Sequence, residues 1–199
     1  MTDPGLHLRA ALADDLPFIQ RMLYEATNRP GEDWPAFEAS IHEPPNSRFW
    51  RDWTRQGDLG VVAERGGVPV GAAWLRIFLG EELGPWDDPG IPVVAIGVER
   101  FSRGVGVGRL LMRALIEVAT TLGVPAVNLT TGTFNEAAVH LYHSCGFKDL
   151  AQQGKAVKMR LALANKPEPP VHDHPTQRGQ PGPERLRPAD SAEHWWQLQ

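Results

Sequence analysis

The sequence predicts an α/β protein in which short strands alternate with amphipathic helices, and three adjoining observations support that class. Residues 91–98 form an apolar run rich in β-branched side chains, as expected for a strand buried on both faces. A segment with three alternating glycines, 103–108, follows directly. Apolar residues then recur along one helical face as far as Leu122, while Arg109 lies on the opposite face. The order of strand, glycine turn and helix organises the rest of the chain.

The other elements are predicted from apolar periodicity and from turn residues. A first helix is expected from Asp14, its predicted N-cap, to about Thr27. Short helices are expected within 31–57, and a later helix is capped by Asn135 and carries Tyr142. Six further strands are predicted, at 6–9, 60–64, 68–78, 126–131, 147–150 and 155–163.

Length and composition favour one domain with an extension. The 199 residues carry a formal net charge of −4 and one cysteine, and no apolar run is long enough to span a bilayer. These features predict a soluble cytoplasmic protein with no nucleic-acid or membrane partner. No metal site is expected, because His172 and His174 alone, in a segment predicted to be flexible, make a poor one. From Asn165 the sequence becomes proline-rich, which predicts a domain over 1–164 and a flexible tail over 165–199.

The glycine segment has the character of a phosphate-binding turn. Glycines allow positive φ and close approach of a ligand to the main chain, and the backbone N–H groups at the start of a helix attract anions. The segment lacks the lysine motif of a P-loop, and its spacing is G-x-G-x-G instead of the G-x-G-x-x-G of dinucleotide-binding folds. A tight turn that binds nothing remains the alternative.

Two motifs together resemble those of the GNAT acetyltransferase superfamily. Arg103-x-x-Gly106-x-Gly108 is similar to that family's acyl-CoA pyrophosphate loop. The stretch from Asn135 to Phe147 is similar to its N-x-x-A-x-x-L-Y-x-x-x-G-F signature. The resemblance covers roughly residues 6–164. It implies a GNAT fold, with a mixed central sheet of about six or seven strands, flanking helices and a splayed central strand pair.

The resemblance also implies an activity and a set of site residues. The activity is transfer of an acetyl group from acetyl-CoA to a primary amine of a small molecule or peptide, by direct attack on the thioester. Tyr142 occupies the family's general-acid position, although a tyrosine that only packs is the alternative. Asn135 either contacts pantetheine or simply caps its helix. The residues implied to bind the cofactor are Ile96, Val98, Arg103, Gly104, Val105, Gly106, Val107, Gly108, Arg109 and Asn135.

One departure from the family pattern concerns the general base. Many relatives carry a glutamate early in the central strand, but here Pro92 is followed by Val93, and no residue of 91–98 ionises. The base is then solvent or one of the four acids in the preceding loop, which are Glu81, Glu82, Asp87 and Asp88. The same departure leaves open a non-catalytic acyl-CoA-binding sensor or scaffold. The acceptor amine and a homodimeric state are also left open.

Overall fold

The computed structural model describes residues 5–27 and 35–163, and the predicted tail lies outside the described residues. Within them, seven strands form one mixed sheet in the order β1-β2-β3-β4-β5-β7-β6. The strands are β1 Leu6–Ala10, β2 Leu59–Arg65, β3 Val68–Arg76, β4 Val93–Val98, β5 Ala126–Gly132, β6 Lys148–Gln153 and β7 Ala156–Ala162. The α-helices are α1 Leu16–Thr27, α2 Phe37–His42, α3 Pro44–Ser47, α4 Val107–Thr121 and α5 Glu136–Ser144.

The two faces of the sheet carry separate cores because side chains alternate along each strand. The α1 face holds Trp74 and Ala95, packed with Met22 of α1. The α4 face holds a larger cluster that includes Leu111 of α4 and Met159 of β7. Among the described residues, no helix combines the length and apolarity that a bilayer crossing requires.

Gly97 shows how closely α1 approaches the sheet. A Cβ at this position would lie 2.2 Å from the carbonyl oxygen of Met22. Real Cβ atoms do not approach oxygen so closely, so a side chain at Gly97 would force α1 away from β4. The glycine is therefore a packing requirement of the central strand.

The predicted mixed sheet is confirmed, and the main differences lie at element ends. Asp14 is not the N-cap of the first helix, because a single 3-10 turn, Ala13–Asp15, precedes α1. Asp15 accepts a 2.7 Å hydrogen bond from the Leu12 N–H and also pairs with Arg9. Asp15 therefore stabilises the 3-10 turn, and its charge is balanced by Arg9.

Candidate active site

The central strands β4 and β5 are paired at one point only. They run parallel, and their register contains the single pair Val93 and Asn128. The Asn128 N–H donates to the Pro92 carbonyl at 2.9 Å, and beyond this apex the strands separate. By contrast, β4 pairs with β3 along its whole length. The predicted splayed pair is therefore present, with its gap widening toward the C-terminal end of β4.

Alternation along β4 determines which backbone groups face the gap. The Glu99 N–H donates to the Val70 carbonyl on the β3 side, at 2.9 Å, whereas the Pro92 carbonyl faces β5. In a strand, the N–H and C=O of one residue point to the same side and successive residues alternate. The backbone groups of Ile96 and Val98 thus point into the gap, as a ligand with amide groups would require.

The glycine segment lies where the gap opens. Gly106 is the N-cap residue of α4, with a φ of 92° and no side-chain cap, and Gly104 has a φ of 78°. The first N–H groups of a helix have no intrahelical acceptor, so those of Val107, Gly108 and Arg109 are available to an external anion. The first turn of α4 contains no acidic side chain that would oppose one.

Gly108 marks the point at which three elements meet. A Cβ placed on it would lie 3.3 Å from Leu141 Cδ2 of α5, 3.8 Å from Val98 Cγ2 and 4.0 Å from Ile96 Cδ1. The start of α4, the end of β4 and the side of α5 therefore pack against one another at Gly108. The glycine loop thus begins at the end of β4 where the gap between the strands is open.

Arg103 forms an ion pair and a hydrogen bond with other residues of the chain. Its Nη2 lies 2.7 Å from a carboxylate oxygen of Glu25, and its Nε donates to the Val98 carbonyl at 2.8 Å. The side chain consequently ties α1 to the end of β4, and Glu25 balances its charge. Arg109, in contrast, is exposed in the first turn of α4.

Tyr142 lies in the core on the α4 face, near Phe147, with its ring centroid 5.9 Å from that of the phenylalanine. Among the described residues, none hydrogen-bonds to its hydroxyl. Burial raises the pKa of Tyr142 to about 12, and the nearby Cys145 thiol acts in the same direction. The phenol is therefore protonated at neutral pH and has an uncommitted donor.

Asn135 caps α5. Its Oδ1 accepts from the Ala138 N–H at 3.2 Å, which accounts for the residue type without a ligand. A contact with pantetheine stays a prediction.

Three of the four loop acids considered as bases are bound by cations. Arg55 donates to both oxygens of Glu82 at 2.8 Å, and this lowers the pKa of Glu82. Asp87 makes a close ion pair with Arg48. A hydrogen bond from Lys158 is the main cause that lowers the pKa of Asp88. Each of these carboxylates is therefore committed to a structural partner, and Glu81 is exposed.

The sequence interpretation missed a polar cluster beside the apex of the gap. Asp88 accepts hydrogen bonds there from Asn128, Lys158 and Arg160. The signal was present in the last strand, because Lys158 and Arg160 alternate with core residues such as Met159. The sequence pattern does not show that β5 and the loop before β4 bring Asn128 and Asp88 next to these two residues.

The split mixed sheet, with a glycine loop at the start of the helix after its central strand, is the architecture of the acyl-CoA-binding acetyltransferases. The family comparison agrees, since the model of the acetyltransferase (GNAT) family matches residues 23–147. The chain belongs to this family.

Individual relatives extend the comparison. The chain is 33% identical over 116 residues to the mycothiol acetyltransferase of Propionibacterium freudenreichii, which is 57% of this chain and 35% of that protein. It is 37% identical over 146 residues to the mycothiol acetyltransferase of Thermobispora bispora, or 68% of this chain and 48% of that protein. The chain thus spans half or less of the length of these curated relatives.

A solved structure shares the fold at low sequence identity. The PaiA N-acetyltransferase of Thermoplasma acidophilum, in complex with coenzyme A, superposes with a TM-score of 0.62 at 15% identity. The match covers 79% of this chain and 99% of that one. At this identity the likeness concerns the fold alone.

Proposed function

We propose that this protein is an acetyl-CoA-dependent N-acetyltransferase that acts on a primary amine of a small molecule or peptide. The observation that carries the proposal is the alignment of the Ile96 and Val98 backbone groups with a gap that opens onto the glycine loop. Membership of an acetyltransferase family supports the same activity.

In this proposal acetyl-CoA binds along the gap. Its pantetheine amides take the place of a strand partner for Ile96 and Val98. Its pyrophosphate accepts hydrogen bonds from the loop N–H groups, where the absence of side chains at the glycines permits close approach. The residues assigned to the loop contact are Arg103, Gly104, Val105, Gly106, Val107, Gly108 and Arg109. Release of Arg103 from Glu25 would free its charge for the phosphates.

The chemistry is a direct transfer between the two substrates. The neutral amine nitrogen attacks the thioester carbonyl carbon, and the oxyanion that develops accepts a hydrogen bond from a backbone N–H near Val98. The carbon–sulfur bond then breaks, the sulfur leaves with the bonding pair, and the nitrogen loses its extra proton. Because the loop acids Glu82, Asp87 and Asp88 are paired with cations, water is proposed to accept that proton.

Tyr142 is proposed to donate to the departing sulfur. Its pKa of about 12 lies above the value near 8.5 of an ordinary thiol, so complete proton transfer is uphill. The hydroxyl therefore assists by hydrogen bonding as charge develops on sulfur, and solvent replaces any proton that it gives up. The measurement of the Tyr142→Phe variant described in the Discussion tests this role.

A second candidate is a non-catalytic acyl-CoA-binding sensor or scaffold. Three loop carboxylates are paired with cations, and β4 carries no charged side chain. Both observations favour this second candidate. Free-thiol release from acetyl-CoA, measured over a panel of amines, separates the two candidates. Thiol release that depends on the amine supports the enzyme, whereas tight acetyl-CoA binding without release on every amine supports the sensor.

Location and assembly are also proposals. The single cysteine in 199 residues suits a reducing compartment, which supports a cytoplasmic location. A homodimer stays a prediction, and light scattering of the purified chain would decide it.

A further inference from the structure

The cluster beside the apex of the gap brings three donors to one oxygen atom. Asp88 Oδ2 lies 2.7 Å from Asn128 Nδ2, 2.6 Å from Lys158 Nζ and 2.6 Å from Arg160 Nη2. Arg160 Nε also donates to Asn128 Oδ1 at 2.8 Å, which fixes the amide so that its NH₂ faces the carboxylate. We call Asn128, Lys158 and Arg160 the basic floor.

The floor is built into the sheet, whereas its anion comes from a loop. Asn128 and Lys158 are buried, at 3% and 9% exposure, and both stand on strands. Asp88 belongs to the segment between β3 and β4, and its side chain is 38% exposed. Two cations and an amide thus form a preformed anion site, and a surface loop supplies the carboxylate.

Position relates the floor to the proposed chemistry. Asn128 belongs to the pair that closes the gap, and its side chain lies on the α1 face, since its neighbours Val127 and Leu129 lie in the core on the α4 face. Val98, near which the thioester is proposed to lie, is five residues further along β4 than Val93, which is roughly 17 Å. A ligand of that length would reach from the floor to the region assigned to the thioester.

The geometry points to the basic floor as the subsite that holds an anionic group of the acceptor, with Asp88 occupying it until the acceptor enters. This inference rests on the proposed function and narrows its substrate class. The acceptor is an amine that carries a carboxylate or phosphate roughly 17 Å from its nitrogen, as a free pentapeptide does at about 3.3–3.6 Å per residue. Bidentate and charge-assisted hydrogen bonds from arginine and lysine suit such a group.

The test measures sulfate binding by calorimetry on protein saturated with coenzyme A, so that the glycine loop is already occupied. Asp88→Asn removes the competing charge and should tighten sulfate binding about tenfold, the scale of one charged hydrogen bond. Arg160→Gln should weaken it about tenfold. Lys155→Gln is the matched control, because it removes the same charge from an exposed position in the turn before β7, and it should leave the affinity unchanged.

Displacement then links the site to the acceptor. Pentaglycine should displace sulfate from the Asp88→Asn protein, and pentaglycine amide, which lacks the carboxylate, should not. Equal sulfate affinity in the wild type, Asp88→Asn and Arg160→Gln proteins would overturn the inference. So would the absence of saturable binding to Asp88→Asn, or displacement by acid and amide alike.

The coenzyme A titration that precedes these measurements distinguishes a failure of the anion subsite from a failure of the proposed function. Each variant should bind coenzyme A within about twofold of the wild type, which also shows that it is folded. A wild-type protein that does not bind coenzyme A contradicts the proposed function and this inference together. One that binds coenzyme A while failing the sulfate test contradicts the anion subsite alone.

Discussion

Gly106→Glu tests the assignment of the glycine loop to the pyrophosphate. Gly106 has a φ of 92°, and a Cβ built on it meets no atom within 4 Å, so the new side chain has space but a strained backbone. That strain costs about 1–2 kcal/mol, which a domain with about 5–15 kcal/mol of stability tolerates. The fold should therefore persist.

The effect on the ligand should be larger than the effect on the fold. One pair of like unit charges 4 Å apart repels by about 1 kcal/mol in water and about 4 kcal/mol at the effective dielectric near a protein surface. A pyrophosphate carries more than one charge, so the acetyl-CoA affinity measured by calorimetry should fall by well over tenfold, or more than about 1.4 kcal/mol.

Gly67→Glu is the matched control for that variant. Gly67 lies in the turn between β2 and β3, has a φ of 78° and also has open space around its Cβ position. The Gly67→Glu variant therefore has similar backbone strain and the same added charge, but at a site outside the glycine loop of 103–108. Both variants should lose similar stability in urea unfolding, and only Gly106→Glu should lose acetyl-CoA. An unchanged affinity in Gly106→Glu, or an equal loss in Gly67→Glu, would refute the assignment.

Three other measurements test separate parts of the structure. Tyr142→Phe should lower kcat on a genuine amine by roughly 10²- to 10³-fold, the effect of losing one hydrogen-bond donor to developing charge, with little change in acetyl-CoA affinity, and a wild-type kcat would leave Tyr142 as a packing residue. Gly97→Ala should destabilise the fold by about 1–3 kcal/mol in urea unfolding, because its Cβ would lie 2.2 Å from the Met22 carbonyl oxygen; neutral behaviour would contradict the close packing of α1. Asp58 is buried just before β2, 3.2 Å from Arg76 Nε, and burial outweighs that arginine and raises the pKa of Asp58 from 3.8 to about 6, so carbon NMR of its carboxyl should give a midpoint near 6. As the pH rises, the unfolded chain loses this proton at a lower pH than the folded protein does. The Asp58 contribution to the free energy of unfolding should therefore decline between pH 3.8 and about 6. An NMR midpoint below 4 would contradict the raised pKa.

The sequence alone determined the features that depend on neighbours along the chain. Apolar runs, alternation and turn residues predicted all seven strands to within a few residues at their ends, because these signals depend on neighbours along the chain. The positive φ of Gly104 and Gly106 and the helix that begins at Val107 follow from local chemistry in the same way. Two such local motifs indicated the family, and membership of the family implied the fold.

Tertiary structure alone decided the features that join distant parts of the chain. Arg103 is predicted to face a phosphate, and only the fold shows that Glu25, seventy-eight residues away in sequence, pairs with it. In the sequence, the loop acids appear equally available as bases. In the fold, three of them form ion pairs with Arg48, Arg55 and Lys158. The polar cluster at Asp88 joins a loop to two strands, whose side chains lie 40 to 72 residues further along the chain than Asp88. Side-chain periodicity shows which way a residue faces on its own strand, but the partner that it meets there depends on the order and register of the whole sheet.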